Sequence, residues 1–260
     1  MRTHLPIPII LILLANLANA AEPTTRPTLY IIGDSTVHNT GKGLMGWGDC
    51  IGEMFDNSRI EVQNHAMGGR SSRTFLAEGR WDKIMETLKP GDFVLMQFGH
   101  NDASPINDDS RARGTIRGIG DQTQEIDNML TGKHETVHSF GFYMRKFVAD
   151  AKGKRATPIV CSLVPRNNWK EGKVIRSSDS YALWARQIAE AEKVPFIDLN
   201  ELVAAKWEAM GNEKVTADFF PSDHTHTSPA GAKLNARCVV EGIRAISDSP
   251  LKDYLQPEAK

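Results

Sequence analysis

The sequence predicts an α/β fold built on a mainly parallel sheet of five strands, and three observations support it. Short β-rich or apolar runs occur at residues 28–32, 60–63, 93–98, 158–163 and 195–199, and segments with apolar residues at helical spacing separate most of them. That alternation is the pattern of parallel strands joined by helical crossovers. The run at 93–98 is apolar without a break, as in a strand buried on both faces. Finally, polar residues and glycines gather just past the strands, where an open parallel sheet binds its ligands.

The elements follow in chain order. Residues 1–20 hold Arg2, an apolar run over 5–17 and an Ala18-Asn19-Ala20 cleavage pattern, so we expect a signal peptide and an exported protein, periplasmic or extracellular. The run carries Pro6 and Pro8 and is shorter than the roughly 20 apolar residues of a membrane span, so no stable membrane association is expected. Residues 21–260 read as a single domain. The first strand ends abruptly at Gly33-Asp34-Ser35, which exposes a serine hydroxyl at the sheet's edge. A helix is expected over 47–55, then the strand at 60–63 and the loop Asn64-His65-Ala66-Met67-Gly68-Gly69.

Trp81, Ile84, Met85 and Leu88 recur at i, i+3, i+4 and i+7 and mark a helix that Pro90-Gly91 stops. The strand at 93–98 leads into Gly99-His100-Asn101-Asp102. Periodicity then disappears over 103–136, where Arg111, Arg113 and Arg117 precede Asp121, Glu125 and Asp127. A loop this long is either a solvated excursion or a lid that faces substrate. Phe140, Tyr143, Met144, Phe147, Val148 and Ala151 form an amphipathic stripe, followed by the strand at 158–163 and a polar loop at 164–169. Asp179 is expected to cap a helix carrying Tyr181, Trp184 and Ile188, and a further helix is expected over 202–210 after the fifth strand. Near the C-terminus Ser228 serves as N-cap and Pro229 as first helical residue, with Leu234, Cys238, Val239, Ile243 and Ile246 on the buried face.

Composition narrows the function. With 40% hydrophobic and 24% charged residues the chain has ordinary globular composition, and a net charge of −1 argues against nucleic acid as a partner. Three cysteines, Cys50, Cys161 and Cys238, allow at most one disulfide and read better as buried thiols. The chemistry concentrates in Asp223-His224-Thr225-His226, just before the Ser228 cap. A carboxylate three residues before an imidazole can hold it in one tautomer, and such a base needs a hydroxyl or thiol, for which Ser35 past the first strand is a candidate. No histidine has companions that suggest zinc, so neither metal nor cofactor is expected.

These blocks resemble the SGNH (GDSL-like) hydrolase superfamily, whose markers are a serine, a glycine, an asparagine and a histidine in separate blocks. Here they read Gly33-Asp34-Ser35-Thr36, NHAMGGRS over 64–71, Gly99-His100-Asn101-Asp102 and DHTHTSPAG over 223–231. Within the superfamily the chain looks most like the rhamnogalacturonan acetylesterases. The resemblance implies a flavodoxin-like three-layer α/β/α sandwich, with Ser35 as nucleophile, His226 as general base, Asp223 as orienting acid, and Ser35, Gly69 and Asn101 as oxyanion donors. His224 adjoins Asp223 and competes for the base, but the family's D-x-x-H spacing selects His226.

The activity so implied is deacetylation of an acetylated plant polysaccharide, most plausibly pectic rhamnogalacturonan, with xylan or another glycan as alternative. A carbohydrate-binding protein without catalysis is the alternative from another class. Around the site, His100 is expected as a wall residue, and Arg166, Asn168 and Trp169 as sugar contacts through charge, hydrogen bonding and stacking. A loop that simply packs its own tryptophan explains the last three equally well. The insert at 103–136 is longer than in the smallest members of the family.

Overall fold

A computed structural model describes residues 26–257. The expected signal peptide lies outside the described residues. Five strands form the central sheet: β1 (Thr28–Gly33), β2 (Glu61–Asn64), β3 (Phe93–Gln97), β6 (Thr157–Cys161) and β9 (Phe196–Ile197). All their pairings are parallel, in the spatial order β2-β1-β3-β6-β9. Two small antiparallel hairpins lie outside it, β4 (Thr123–Asp127) with β5 (His134–His138), and β7 (Trp169–Lys170) with β8 (Lys173–Val174).

Side-chain alternation along the strands divides the core into two layers. Leu29 and Ile31 of β1, Phe93 and Leu95 of β3, and Ile159 and Cys161 of β6 face one side, with Val203, Trp207, Val239 and Ile243. The last four come from helices α5 (Leu199–Met210) and α7 (Pro229–Ala245). Tyr30, Ile32, Val94, Met96 and Val160 face the other side, against α2 (Arg80–Thr87), α3 (Phe140–Gly153) and α4 (Tyr181–Glu192). The sheet is therefore sandwiched between helices, as the alternation of the sequence predicts. Two shorter helices, α1 (Ser72–Ala77) and α6 (Asn212–Phe219), complete the set. All three cysteines are buried free thiols.

Several local expectations need correction. The helix expected over 47–55 is instead two 3-10 turns, Trp47–Asp49 and Ile51–Met54. Gly46 and Gly48 pack so close to Val37 that a Cβ on either would overlap it, which fits a tight turn against the β1 loop better than a regular helix. The insert is not wholly irregular, because it contains the β4–β5 hairpin. Asp179 does not cap α4; Ser180 takes that place without a side-chain hydrogen bond. The helix expected from 202 begins at Leu199, because Asp198 caps it by accepting from the Glu201 amide at 3.3 Å. Ser228 and Pro229 do start α7, where the Ser228 hydroxyl accepts from the Gly231 amide at 3.3 Å.

The order of strands places the ligand edge. From β1 the chain crosses to β2 on one side and then returns to β3 on the other, so the strand order reverses between β1 and β3. Their C-terminal ends deliver Ser35 and Asn101 to that crevice.

Candidate active site

Gly33 ends β1 by necessity. A Cβ there would sit 2.5 Å from Val37 Cγ2 and 2.6 Å from the Gln97 carbonyl, so only glycine lets the chain turn back at once and leave Ser35 at the edge. The turn rests on a buried polar chain: Asp34 Oδ1 accepts from the Thr36 amide at 2.9 Å and hydroxyl at 2.8 Å. Gln97 Nε2 donates to Thr36 Oγ1 at 2.7 Å, and Trp47 Nε1 donates to Gln97 Oε1 at 2.8 Å. The nucleophile loop is thus braced from beneath. Sequence reasoning passed over Gln97, although a glutamine inside an otherwise apolar strand was the available signal.

His226 reaches that serine from the other end of the chain. Its Nε2 lies 2.8 Å from Ser35 Oγ, and its Nδ1 lies 2.7 Å from Asp223 Oδ2. Asp223 uses its second oxygen to accept from the amides of Thr225 at 2.6 Å and His226 at 2.8 Å, which folds the loop back on itself. Burial raises the Asp223 pKa, but the hydrogen bonds from His226 and Thr225 outweigh it and hold the carboxyl down to about 2. Asp223 is therefore an anion at neutral pH. It fixes the proton on Nδ1 and leaves Nε2 as acceptor for the serine. The loop is tied to the β1 side by Met45 N to Thr227 O at 2.9 Å and Thr227 Oγ1 to Met45 O at 3.1 Å. His224 is exposed and takes no part in this relay; its carbonyl accepts from the Asn167 amide at 2.7 Å.

Three candidate donors come from the loops that follow β1, β2 and β3. The β2 loop is anchored by Met67 N to Gly33 O at 3.0 Å, and a Cβ on Gly68 would lie 3.6 Å from Ser35 Cβ. Gly69 has φ +80°, a left-handed conformation that glycine adopts at no steric cost. Asn101 Nδ2 donates to the Arg70 carbonyl at 2.8 Å, which ties the β3 loop to the β2 loop and spends one of two amide hydrogens. The backbone amides of Ser35 and Gly69 donate to nothing among the described residues. The loops after β1, β2 and β3 thus carry two free N–H groups and one half-used amide.

The remaining predicted residues fall into two groups. His100 is buried near Asp34, Arg166 and His226, and burial pushes its imidazole down to about 4, so it is neutral at pH 7. Its Nε2 and Asp34 Oδ2 are both buried without a hydrogen-bond partner among the described residues. Arg166 donates to Thr225 Oγ1, so it touches the Asp223 loop. Asn168 and Trp169 belong to the β7–β8 hairpin. Trp169 packs against the core, and its indole donates to Asn167 Oδ1 at 2.6 Å. Its loop packs its own tryptophan, and among the described residues no hydrogen bond joins Asn168 or Trp169 to Ser35 or His226.

Residues outside the predicted set hold the insert against the site. Arg73 of α1 is buried and makes a two-pronged pair with Glu135 of β5 at 2.6 and 2.7 Å, while its Nη1 donates to the Ile106 and Gly114 carbonyls at 2.8 Å. Arg113 Nη1 donates to the Gly69 carbonyl at 2.8 Å, and its Nε to Ser104 Oγ at 3.1 Å. Asp102 accepts from the Ser72 hydroxyl and amide, and burial raises its carboxyl up to about 7. Among the described residues no cluster of acids, histidines and cysteines forms a metal site.

Comparisons with known proteins agree with this geometry. Residues 31–234 match the GDSL-like lipase/acylhydrolase family. A rhamnogalacturonan acetylesterase of Emericella nidulans is 33% identical over 228 residues, covering 88% of this chain and 89% of its own. A rhamnogalacturonan acetylesterase of Bacillus subtilis is 31% identical, covering 87% of this chain and 93% of its own. Among solved structures, the Bacillus subtilis protein YxiM superposes with a TM-score of 0.68 at 27% identity, over 86% of this chain and 57% of that one. An acetylxylan esterase of Geobacillus stearothermophilus shares the fold at a TM-score of 0.53 and 19% identity, over 83% of this chain and 93% of that one.

Proposed function

The chain belongs to the GDSL-like lipase/acylhydrolase family, and from that premise we propose that it is a serine esterase that removes O-acetyl groups from a plant cell-wall glycan, pectic rhamnogalacturonan foremost. The observation that carries the proposal is the continuous relay Asp223–His226–Ser35 beside free N–H groups, in a chain 33% identical to a rhamnogalacturonan acetylesterase over most of both lengths.

The distances support the following chemistry. Neutral Nε2 takes the Ser35 proton as Oγ attacks the acetyl carbonyl, and the carbonyl π-electrons move to oxygen. The amides of Ser35 and Gly69 and the free N–H of Asn101 receive that oxyanion, each well-aimed donor contributing about 3 kcal/mol to the transition state. The C–O bond to the sugar then breaks, and the departing oxygen takes the proton from His226. Water gives a proton to the same Nε2 as it attacks the acetyl-serine; the bond from the acetyl carbon to Ser35 Oγ then breaks, Oγ takes the proton back from Nε2, and the acetyl group leaves as acetic acid, which ionises to acetate. Asp223 stays ionised and balances the imidazolium in both halves.

We further propose that the protein is exported by the leader at residues 1–20, so that it meets its polymer outside the cytoplasm. The experiment for the substrate is acetate release from acetylated pectin, xylan and glucomannan by the purified mature chain. The highest kcat/KM on acetylated pectic rhamnogalacturonan supports the reading, and preference for xylan overturns it in favour of another acetylated glycan.

A further inference from the structure

Beyond the oxyanion loops, the β4–β5 insert and the start of α4 enclose a cleft of about 630 Å³ lined by Asp102, Ser104, Thr115, Arg117, Gln124 and Tyr181, among others. It lies next to the reacting centre. Asp102 directly follows Asn101, and a single guanidinium, that of Arg113, bridges Ser104 on the cleft wall and the Gly69 carbonyl of the oxyanion loop.

Two features of this cleft leave polar groups available to a ligand. The first is charge: the Arg117 guanidinium lies over the Trp184 ring at 5.6 Å and makes neither a hydrogen bond nor an ion pair among the described residues. Four acids of the insert and of β5 are already engaged, Asp121 by Arg145, Glu135 by Arg73, and Glu125 and Asp127 by His134, while Asp102 on the cleft wall accepts from Ser72. A guanidinium held at an indole face by cation–π attraction spends none of its N–H donors, which remain for a carboxylate. The second is a pair of buried hydroxyls. Tyr181 Oη and Thr115 Oγ1 lie side by side in the wall of the cleft, and among the described residues neither has a partner beyond the other. Burial pushes the Tyr181 phenol up to about 12, so it is a neutral donor at physiological pH. One hydrogen bond between two hydroxyls leaves a donor and acceptor positions unused, and ligand hydroxyls would take them.

We propose that this cleft is a subsite for a uronic-acid residue of the substrate chain, flanking the acetylated sugar, with Arg117 as the residue that recognises its carboxylate. Tyr181 and Thr115 take its ring hydroxyls. The proposal deepens the pectic reading above and rests on it for the acetyl group, but the binding of an acidic sugar is testable without catalysis.

Two measurements keep the claims separate. Calorimetric titration of the purified chain with a short, unacetylated oligogalacturonate should show binding that weakens about tenfold in Arg117→Gln and recovers in part in Arg117→Lys. In parallel, Arg117→Gln should raise KM about tenfold on acetylated rhamnogalacturonan oligosaccharides, while leaving kcat unchanged. It should also leave turnover of 4-nitrophenyl acetate and of the carboxyl-reduced oligosaccharides unchanged. No binding by the wild type, equal binding by Arg117→Gln, or an equal KM rise on the carboxyl-reduced substrate overturns the subsite. Oligogalacturonate binding that depends on Arg117, in an enzyme that prefers acetylated xylan, keeps the subsite and overturns the pectic reading alone.

Discussion

Asn101 commits one hydrogen of its side-chain amide to the Arg70 carbonyl at 2.8 Å, and in the proposed mechanism the other meets the oxyanion. Asn101→Ala therefore should lower kcat about a hundredfold or more on a small acetyl ester, with KM little changed. A raised KM with intact kcat would make it a ground-state binder instead. His100 makes a different prediction. Burial holds its imidazole down to about 4 against an ordinary 6.5, so between those values the unfolded chain binds a proton that the folded one refuses. Stability then falls as pH drops from 6.5 to 4. His100→Gln should flatten that part of the stability profile, read by thermal denaturation across the range. An unchanged slope would place the acid sensitivity elsewhere. Asp102 works with the opposite sign: its carboxyl is raised from 3.8 to about 7, so its contribution declines as pH rises through that window.

At the scale of elements, Arg73 decides whether the β4–β5 insert is a wall or a free loop. Its guanidinium is buried, grips Glu135 with two hydrogen bonds and holds two carbonyls of the loop before the hairpin. Arg73→Ala should cost about 3 kcal/mol, because the Glu135 carboxylate and those carbonyls lose their donors, and amides of β4 and β5 should exchange hydrogen faster than those of β3. Exchange that stays uniform would show that other contacts hold the hairpin. The insert is also where the sequence was least legible. In β4 only Ile126 points inward, so the run has no alternation to read. The six-residue α1 shows too few turns for a helical period, and its signal was the Ser71 cap, whose hydroxyl accepts from the Thr74 amide at 3.1 Å. By contrast β1, β3, β6, α3 and α7 were legible because burial shaped whole runs of their residues. The triad was legible for another reason: Asp223 and His226 share one loop before a strong cap, and Ser35 follows a strand that stops abruptly. Arg73, Arg113 and Arg117 act across the fold, at separations that no local pattern records.

For the whole molecule, the parallel sheet is what makes a site out of distant segments. Since every strand runs the same way, the loops after β1, β2 and β3 leave by one edge, and α7 brings His226 to it from 191 residues away. Short tethers then fix the spacing, Met67 to Gly33, Asn101 to Arg70 and Thr227 to Met45. The relay is thus assembled before substrate arrives, which is the condition for its donors to stabilise charge without first reorganising. The central claim is that Ser35, held by His226, carries the acyl group. The most direct measurement is acetate release from a small acetyl ester by purified Ser35→Ala, with circular dichroism and melting to establish an intact fold. The account predicts turnover lowered by about a millionfold relative to the unaltered chain. Turnover close to that of the unaltered chain, by a folded Ser35→Ala protein, would contradict it.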